Sequence, residues 1–290
     1  MDLTGTKFIF SDAIRATVDP QTCSIMDAFE GQQTSLKSAI DQQTGHFSLS
    51  QAEDIRETHN NFVRAILAST GTKYVSLSLS LVESVNKYDF ISYALAARSI
   101  IEIVATFRYF VRQKIGPVVH EIASSQHYTA AQVKRLIEQE NVYLRGTRFD
   151  WVSFFDGGFR PLNERYAEWL TEKKKNKNAK KWTPGRLPPI EQINVTTCLE
   201  KWAEAEPGVG TVYDLFCDLV HPNIGSVMST MVHVGGELRF RVRDPSSVGL
   251  TLFQKSFAAF HVLTSRELTE LIAMLLHLIL PIEAAPDKSR

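Results

Sequence analysis

Two side chains of opposite charge, Arg98 and Glu102, lie four residues apart in the most apolar stretch of the chain, residues 90–111. At this spacing a helix places both side chains on one face. Because isolated charges are unfavourable in an apolar core, we expect the pair either to form a buried salt bridge that fixes the helix register or to line a cleft that binds an anion. The sequence leaves both interpretations open.

A histidine, His221, stands at the end of a second apolar stretch that begins near Thr211. Pro222 disfavours helical geometry in the residue before it, so the helix is predicted to end at His221. A histidine at a helix C-terminus is suited to binding an anion or moving a proton, and it is equally suited to capping the last carbonyl groups. Cys217 lies one turn earlier, and because no neighbouring residue in the sequence completes a metal or nucleophile motif, a small buried thiol is expected. The sequence predicts no metal and no cofactor.

A basic and aromatic segment occupies residues 142–189, with 11 basic and five acidic residues between positions 142 and 186. Lysines can follow a phosphate backbone and a tryptophan can stack on a base, although a run of like charges is also typical of a solvated loop. The candidate nucleic-acid-binding residues are Lys173, Lys174, Lys175, Lys177, Lys180, Lys181 and Trp182.

The overall composition is that of an ordinary globular chain: 290 residues, 44% of them hydrophobic, with 32 basic and 32 acidic side chains. A net charge of zero excludes a whole-protein field that attracts nucleic acid, so any binding of RNA must depend on a local patch. Three widely spaced cysteines indicate a reducing compartment, and the N-terminus does not have the pattern of a signal peptide. The most apolar stretches, residues 90–111 and 271–280, are interpreted as core helices, since one carries charges and the other is too short to span a bilayer. We therefore expect a cytoplasmic protein with no membrane association.

Helical patterns dominate the sequence and predict a mainly α fold, a helical bundle with one accessory β-hairpin. Capping boxes that begin at Ser50 and Thr129 mark two helix starts. Residues 88–114 predict a long helix that ends at Gly116 and Pro117. Residues 250–280 predict a second long helix, with a break near Thr264. Because both long helices are apolar on most sides, they are expected to bury each other.

Residues 227–234 and 237–243 flank Gly235 and Gly236, and apolar residues alternate with arginines in the second segment. This pattern predicts a β-hairpin with a two-residue turn. We expect one domain over residues 1–290, with an N-terminal extension (1–49), the basic insertion (142–189) and the hairpin (227–243). The unpaired hairpin edge and three further phenylalanines predict a homodimer or a protein partner. Those phenylalanines are Phe154, Phe155 and Phe159.

Two short motifs in the sequence resemble those of a known family. Residues 97–102, with the letters ARSIIE, are similar to the Ala-Arg-x-x-x-Glu signature of a helix in HEPN-like proteins of prokaryotic defence and abortive-infection systems. Residues 213–222 resemble the histidine-bearing helix end of that class. The resemblance covers scattered blocks between residues 88 and 222. It implies a helical bundle that is often dimeric and, in the active members, a metal-independent ribonuclease.

The catalytic signature of those active members is an arginine four to six residues before a histidine on one helix. In this chain residues 215–217 occupy those places and none is an arginine. The resemblance therefore implies either that Arg98 replaces the missing arginine in space or that the chain is a non-catalytic member.

The resemblance implies a component of a prokaryotic stress or phage-defence system that acts on RNA as a metal-independent ribonuclease toxin. In that role Arg98 binds a phosphate, Glu102 orients Arg98, and His221 moves the proton. The alternative is a non-enzymatic binding or regulatory module, in which the Arg98–Glu102 pair is structural and the hairpin contacts a partner protein.

Overall fold

The computed structural model describes residues 8–43, 52, 54–125, 128–145 and 194–279, and within them the chain is a helical bundle with one hairpin. The mainly α prediction is thus confirmed. The helices are α1 (Asp12–Arg15), α2 (Pro20–Gln43), α3 (Ile55–Asn86), α4 (Phe90–Tyr109), α5 (Gly116–Ser125), α6 (Ala130–Arg145), α7 (Val195–Ala203), α8 (Gly208–Val220), α9 (Ile224–Met228) and α10 (Val248–Leu276). A π-helical segment (Phe110–Ile115) joins α4 to α5, and the strands are β1 (Met231–Val234) and β2 (Glu237–Phe240).

Helix α4 is the centre of the bundle and packs against α3, α7, α8 and α10. Its apolar residues lie on nearly every side, as expected for a helix with neighbours all round. Ile100, Val104 and Phe107 are fully buried. The helical stretch Phe90–Ser124 is long and apolar enough to cross a membrane, and 61% of its most apolar window is buried inside the bundle.

An aromatic cluster joins α10 to the N-terminal part of the chain. Phe257 of α10 contacts Phe10 edge-on at 5.6 Å and Phe29 at 5.5 Å between ring centroids. Edge-to-face contacts at these distances add to the free energy gained from burial. Residues within the predicted N-terminal extension therefore belong to the same hydrophobic core as α4 and α10.

The two predicted capping boxes have different outcomes. At α6, the Thr129 hydroxyl accepts from the Gln132 amide at 3.2 Å while the Gln132 side chain accepts from the Thr129 amide at 2.8 Å, so this box is confirmed. At α3 the prediction of Ser50 as the cap is wrong. The helix begins at Ile55, and Asp54 is its N-cap because the Asp54 carboxylate accepts from the Arg56 amide at 2.8 Å.

The predicted end of the long central helix at Gly116 and Pro117 is also wrong. The chain passes from α4 through the π-helical segment into α5 without leaving helical geometry, and Gly116 has φ −49° and ψ −45°. A proline is tolerated in the first turn of a helix, where its missing N–H has no required partner. In the π-helical segment before it, backbone hydrogen bonds join residues five apart instead of four. Pro117 then lies in the first turn of α5.

Helix α10 is continuous over 29 residues, so the break predicted near Thr264 is wrong. The Thr264 hydroxyl donates to the Phe260 carbonyl at 2.8 Å, one turn earlier on the same helix. Because this bond satisfies the hydroxyl inside the helix, a buried threonine is accommodated without interrupting it.

The hairpin is present with the predicted two-residue turn. Gly235 and Gly236 both have positive φ, 59° and 84°, which a type I′ turn requires. The strands are shorter than predicted, because residues 224–228 form α9 and leave only residues 231–234 for β1. The register pairs Val232 with Arg239 and Val234 with Glu237.

A charged cluster connects α4, the π-helical segment and α10. Glu267 Oε1 lies 3.1 Å from Arg108 Nε and 2.9 Å from Arg112 Nε, and Arg112 also donates to Glu270 at 2.8 Å. Arg108 and Glu267 are buried, and burial lowers the pKa of Arg108 despite the attraction of Glu267. The buried carboxylate of Glu267 thus forms ion pairs with both arginines, and Arg112 also pairs with Glu270.

A second buried pair joins α3 to α6. His59 Nδ1 lies 2.7 Å from Glu140 Oε1, and His59 Nε2 donates to the Leu278 carbonyl at 2.9 Å. Neither side chain of the pair is exposed. Burial lowers the pKa of His59, but the hydrogen bond and the charge of Glu140 raise it by more, so the pKa is raised on balance. Burial also raises the pKa of Glu140.

Candidate functional site

The predicted pair Arg98 and Glu102 forms an ion pair on α4, with Arg98 Nε 3.0 Å from Glu102 Oε1. Tyr213 of α8 joins them: its hydroxyl donates to the same Glu102 oxygen at 2.9 Å. The guanidinium carbon of Arg98 lies 5.6 Å from the centre of the Tyr213 ring, a distance at which a cation is attracted to the ring face. The three side chains form one cluster, called here the Arg98 cluster.

The packing of α8 on α4 positions this cluster. Phe216 of α8 is fully buried and meets the Tyr93 ring of α4 edge-on at 5.6 Å. Tyr213 contacts Glu102 while Phe216 contacts Tyr93, so the later residue of α8 meets the earlier residue of α4. The inward residues of α8 thus fix the rotation of the helix, and Tyr213 and Cys217 follow on its partly exposed side.

The surroundings of Arg98 and Tyr213 keep both side chains protonated near neutral pH. Burial and then the hydrogen bond to Glu102 raise the pKa of the Tyr213 hydroxyl, which therefore stays a donor. Burial opposes the charge on Arg98, but the contact with Tyr213 and the hydrogen bond to Glu102 raise its pKa on balance. The cluster presents a fixed guanidinium rather than a titrating group.

The exposure of the Arg98–Glu102 pair lies between the two arrangements expected from the sequence, a buried salt bridge and a pair that lines a cleft. The Arg98 side chain is 27% exposed and the Glu102 side chain 29% exposed. The pair is therefore a half-buried salt bridge at the margin of the α4–α8 contact. Solvent reaches it, as binding an anion requires.

His221 is the C-cap of α8, as predicted, and its backbone leaves helical geometry there (φ −69°, ψ 146°). Its backbone N–H donates to the Cys217 carbonyl at 2.9 Å, and its side chain is exposed. His221 follows Tyr213 by eight residues, about 12 Å along the helix axis, with Cys217 midway between them. Within the described part of the chain, its side chain makes no hydrogen bond or ion pair with Arg98.

Cys217 was expected to be buried, and this expectation is wrong, because its side chain is only partly covered. It is near enough to Arg98 to interact electrostatically with the guanidinium. Cys198 is the buried thiol on the neighbouring helix α7, and burial raises its pKa to about 11. Cys198 is therefore protonated and unreactive near neutral pH.

The basic run and the three phenylalanines lie outside the described residues. They are Lys173, Lys174, Lys175, Lys177, Lys180, Lys181, Trp182, Phe154, Phe155 and Phe159. Among the residues that are described, no group of three or more His, Cys, Asp or Glu side chains is arranged to hold a metal ion.

Sequence reasoning missed Tyr213 as part of the site. Tyr213, Cys217 and His221 recur at intervals of four residues, which places them along one side of a helix. That spacing was a usable signal for a shared face. What the sequence did not contain was the packing angle that brings this side of α8 to Arg98.

Comparison of the chain with family models, with curated proteins and with solved structures gave no match. The HEPN-like resemblance therefore stays a prediction, and any function must be argued from the residues themselves.

Proposed function

We propose that this chain is a HEPN-like component of a prokaryotic stress or phage-defence system that acts on RNA as a metal-independent ribonuclease. The observation that carries the proposal is the way Glu102 holds Arg98. Glu102 accepts the hydrogen bond from Nε of Arg98, the guanidinium nitrogen nearest the backbone. The two terminal nitrogens are the part of an arginine that binds a phosphate.

The proposed reaction is an internal transfer at one phosphodiester. The ribose 2′-hydroxyl loses its proton to His221 and attacks the adjacent phosphorus, and the bond from phosphorus to the 5′-oxygen breaks. The protonated His221 returns the proton to the departing 5′-oxygen. The products are a 2′,3′-cyclic phosphate and a 5′-hydroxyl. Arg98 stabilises the negative charge that develops on the phosphate oxygens.

Two features of the site support this assignment of roles. Arg98 is half-buried, which strengthens its attraction for a phosphate compared with a fully exposed arginine. His221 is exposed and lies about two helical turns after Tyr213, at the end of α8, so an RNA strand that contacts Arg98 can extend towards it. Tyr213 and His221 are about 12 Å apart along the helix axis. The side chains of Arg98 and His221, together with the phosphate group between them, must span this distance.

A second candidate function is a non-enzymatic binding or regulatory module. One observation favours it: a single oxygen of Glu102 accepts from Arg98 on its own helix and from Tyr213 on α8, so the cluster also ties the two helices together. In this case the pair is structural and His221 is only a helix cap.

The experiment that separates the two functions is RNA cleavage in the presence of EDTA, with bulk transfer RNA and ribosomal RNA as substrates. Under the proposal the wild-type protein cleaves RNA and leaves 2′,3′-cyclic phosphate ends. The double variant Arg98→Met, Glu102→Leu removes both charges while keeping α4 apolar, and it is expected to stay folded without cleaving. Absence of cleavage by the folded wild-type protein, or full cleavage by the double variant, contradicts the proposal and favours the module.

A further inference from the structure

Exposed apolar side chains are concentrated in one short stretch of the chain. Of the ten large apolar side chains that are exposed in the described residues, six lie on α9, on β2 and just after β2. They are Ile224, Val227, Met228, Leu238, Phe240 and Val242. Phe240 is 61% exposed and Val242 is 81% exposed, and a concentration of exposed apolar side chains is typical of an interaction surface.

The first half of β1 is covered, whereas β2 is open along its whole length. Met231 and Val232 of β1 are buried, whereas every residue of β2 is exposed. The outer edge of β2 has no neighbouring strand in the described part of the chain, since the sheet there has only two strands. An open edge with apolar side chains is a template for pairing with another strand.

The hydrogen-bond pattern of the hairpin shows which backbone groups point outward. The Arg241 amide donates to the Thr230 carbonyl at 2.8 Å, which continues the alternation that starts at the turn. In an antiparallel pair only every second residue bonds across, so Glu237, Arg239 and Arg241 face β1. The N–H and C=O groups of Leu238 and Phe240 therefore point away from β1 into the open edge.

We propose that β2 pairs in antiparallel orientation with β2 of a second copy of this chain, about a two-fold axis at Arg239. In this register Leu238 lies opposite the partner's Phe240, and Phe240 opposite the partner's Leu238. Both outward residues of each strand then bond across the interface. A two-fold axis makes the contact self-complementary and closes the assembly at two copies.

The charges on β2 fit this register. Glu237 comes to lie opposite the partner's Arg241, and the two-fold axis generates this opposite-charge pair twice. Arg239 lies opposite the partner's Arg239 on the axis, and this repulsion is offset within each chain because Glu237 Oε2 lies 3.0 Å from Arg239 Nη2. A strand with the sequence acid–apolar–base–apolar–base is thus complementary to itself when reversed.

Other registers fit less well. A two-fold axis at Leu238 places Phe240 opposite the partner's Gly236, which is in the turn and has positive φ. An axis at Phe240 requires strand geometry as far as Val242, but β2 ends at Phe240 and Arg243 has a φ of 59°. The register at Arg239 needs only one residue beyond β2, Arg241, whose amide already bonds to the Thr230 carbonyl at 2.8 Å.

Strand pairing alone buries little area compared with a stable protein interface, which buries about 1,200–2,000 Å² in total. The apolar side chains of α9, immediately before β1 in the chain, are expected to complete the interface. The association then has an apolar component from both elements, and a salt-dependent component from the Glu237–Arg241 pairs.

The test exchanges the charges of Glu237 and Arg241 and measures self-association by sedimentation analysis over a concentration series. The single variants Glu237→Arg and Arg241→Glu each place like charges opposite one another twice, so each is expected to weaken self-association on the order of tenfold. The double variant Glu237→Arg, Arg241→Glu restores opposite charges and is expected to dimerise like the wild type. An equimolar mixture of the two single variants is expected to form a heterodimer, because each strand then faces its complement.

The apolar component has its own matched pair of variants. Phe240→Ser is expected to weaken the dimer, whereas Val262→Ser, at an equally exposed apolar position on α10, is expected to leave it unchanged. Both positions are on the surface, so both variants should fold, which circular dichroism checks. A wild-type protein that stays monomeric at high concentration overturns the proposal. A dimer that is insensitive to the charge exchange overturns it as well, because its interface then lies elsewhere.

Discussion

Removing the carboxylate of Glu267 should destabilise the bundle far more than removing that of Glu270, three residues later on the same helix. Glu267 is the buried acceptor for both Arg108 and Arg112, at 3.1 and 2.9 Å. In Glu267→Gln the buried Arg108 loses its charge partner and retains the Lys201 carbonyl at 3.4 Å. Leaving a buried charge uncompensated costs about 3–5 kcal/mol. We expect a loss of about 3 kcal/mol, since the glutamine oxygen still accepts one hydrogen bond.

The matched control is Glu270→Gln. Glu270 is 48% exposed and its partner Arg112 keeps Glu267, so the expected loss in free energy of unfolding is about 0–1 kcal/mol, the range of surface ion pairs. Urea unfolding followed by circular dichroism measures both variants, and an unchanged m-value checks that the unfolded states are comparable.

A double variant separates loss of the charge pair from loss of packing. Arg108→Met, Glu267→Leu replaces both charges with apolar side chains of similar length, and we expect it to recover most of the stability lost in Glu267→Gln. Equal losses for Glu267→Gln and Glu270→Gln would refute the reasoning, because burial would then not determine the strength of the interaction.

Two further predictions concern buried histidines and helical glycines. The pKa of His59 is raised, so its contribution to stability is complete below about pH 6.5 and is lost as the pH rises through its folded pKa. Burial lowers the pKa of His261, so its contribution to stability is lost as the pH falls below about 6.5. The double variant His59→Gln, Glu140→Gln removes both members of the buried pair, so its free energy of unfolding should fall less than that of the wild type as the pH rises above about 6.5. The free energy of unfolding of His261→Gln should fall less than that of the wild type as the pH drops below about 6.5, and a change on the same side in both variants would contradict the assignment. Gly249→Ala should destabilise by roughly 1–3 kcal/mol, because the new Cβ would collide with the Phe90 ring. Gly31→Ala, where a Cβ meets no atom within 4 Å, should stabilise helix α2 by roughly 0.5–1 kcal/mol. A lower melting temperature for Gly31→Ala than for Gly249→Ala would show the packing argument to be wrong.

Features that depend on neighbouring residues could be predicted from the sequence. The helix end at His221 follows from the proline after it, and the type I′ turn follows from Gly235 and Gly236, which adopt positive φ without strain. The capping box at Thr129 is likewise a pattern over four residues. In each case the residues that decide the local structure are adjacent in the chain.

Features that depend on contacts between distant residues could not be predicted in this way. The π-helical segment carries the chain past Pro117, and Arg112 within it is held by Glu267 more than 150 residues later. Tyr213 completes the Arg98 cluster only because α8 packs on α4. The partial exposure of Arg98 also results from this packing, so the sequence alone could not decide between a buried pair and a pair in a cleft.

The central claim, that the Arg98 cluster and His221 act on RNA, is tested most directly by the cleavage rate of His221→Ala. Because His221 is an exposed helix cap, its truncation should lower the free energy of unfolding by only about 0.3–1 kcal/mol, and the variant should fold. His120→Ala, at an exposed histidine of α5, is the matched control. We expect RNA cleavage in EDTA to be lost in the folded His221→Ala protein and kept in His120→Ala. Full cleavage by His221→Ala would contradict the account.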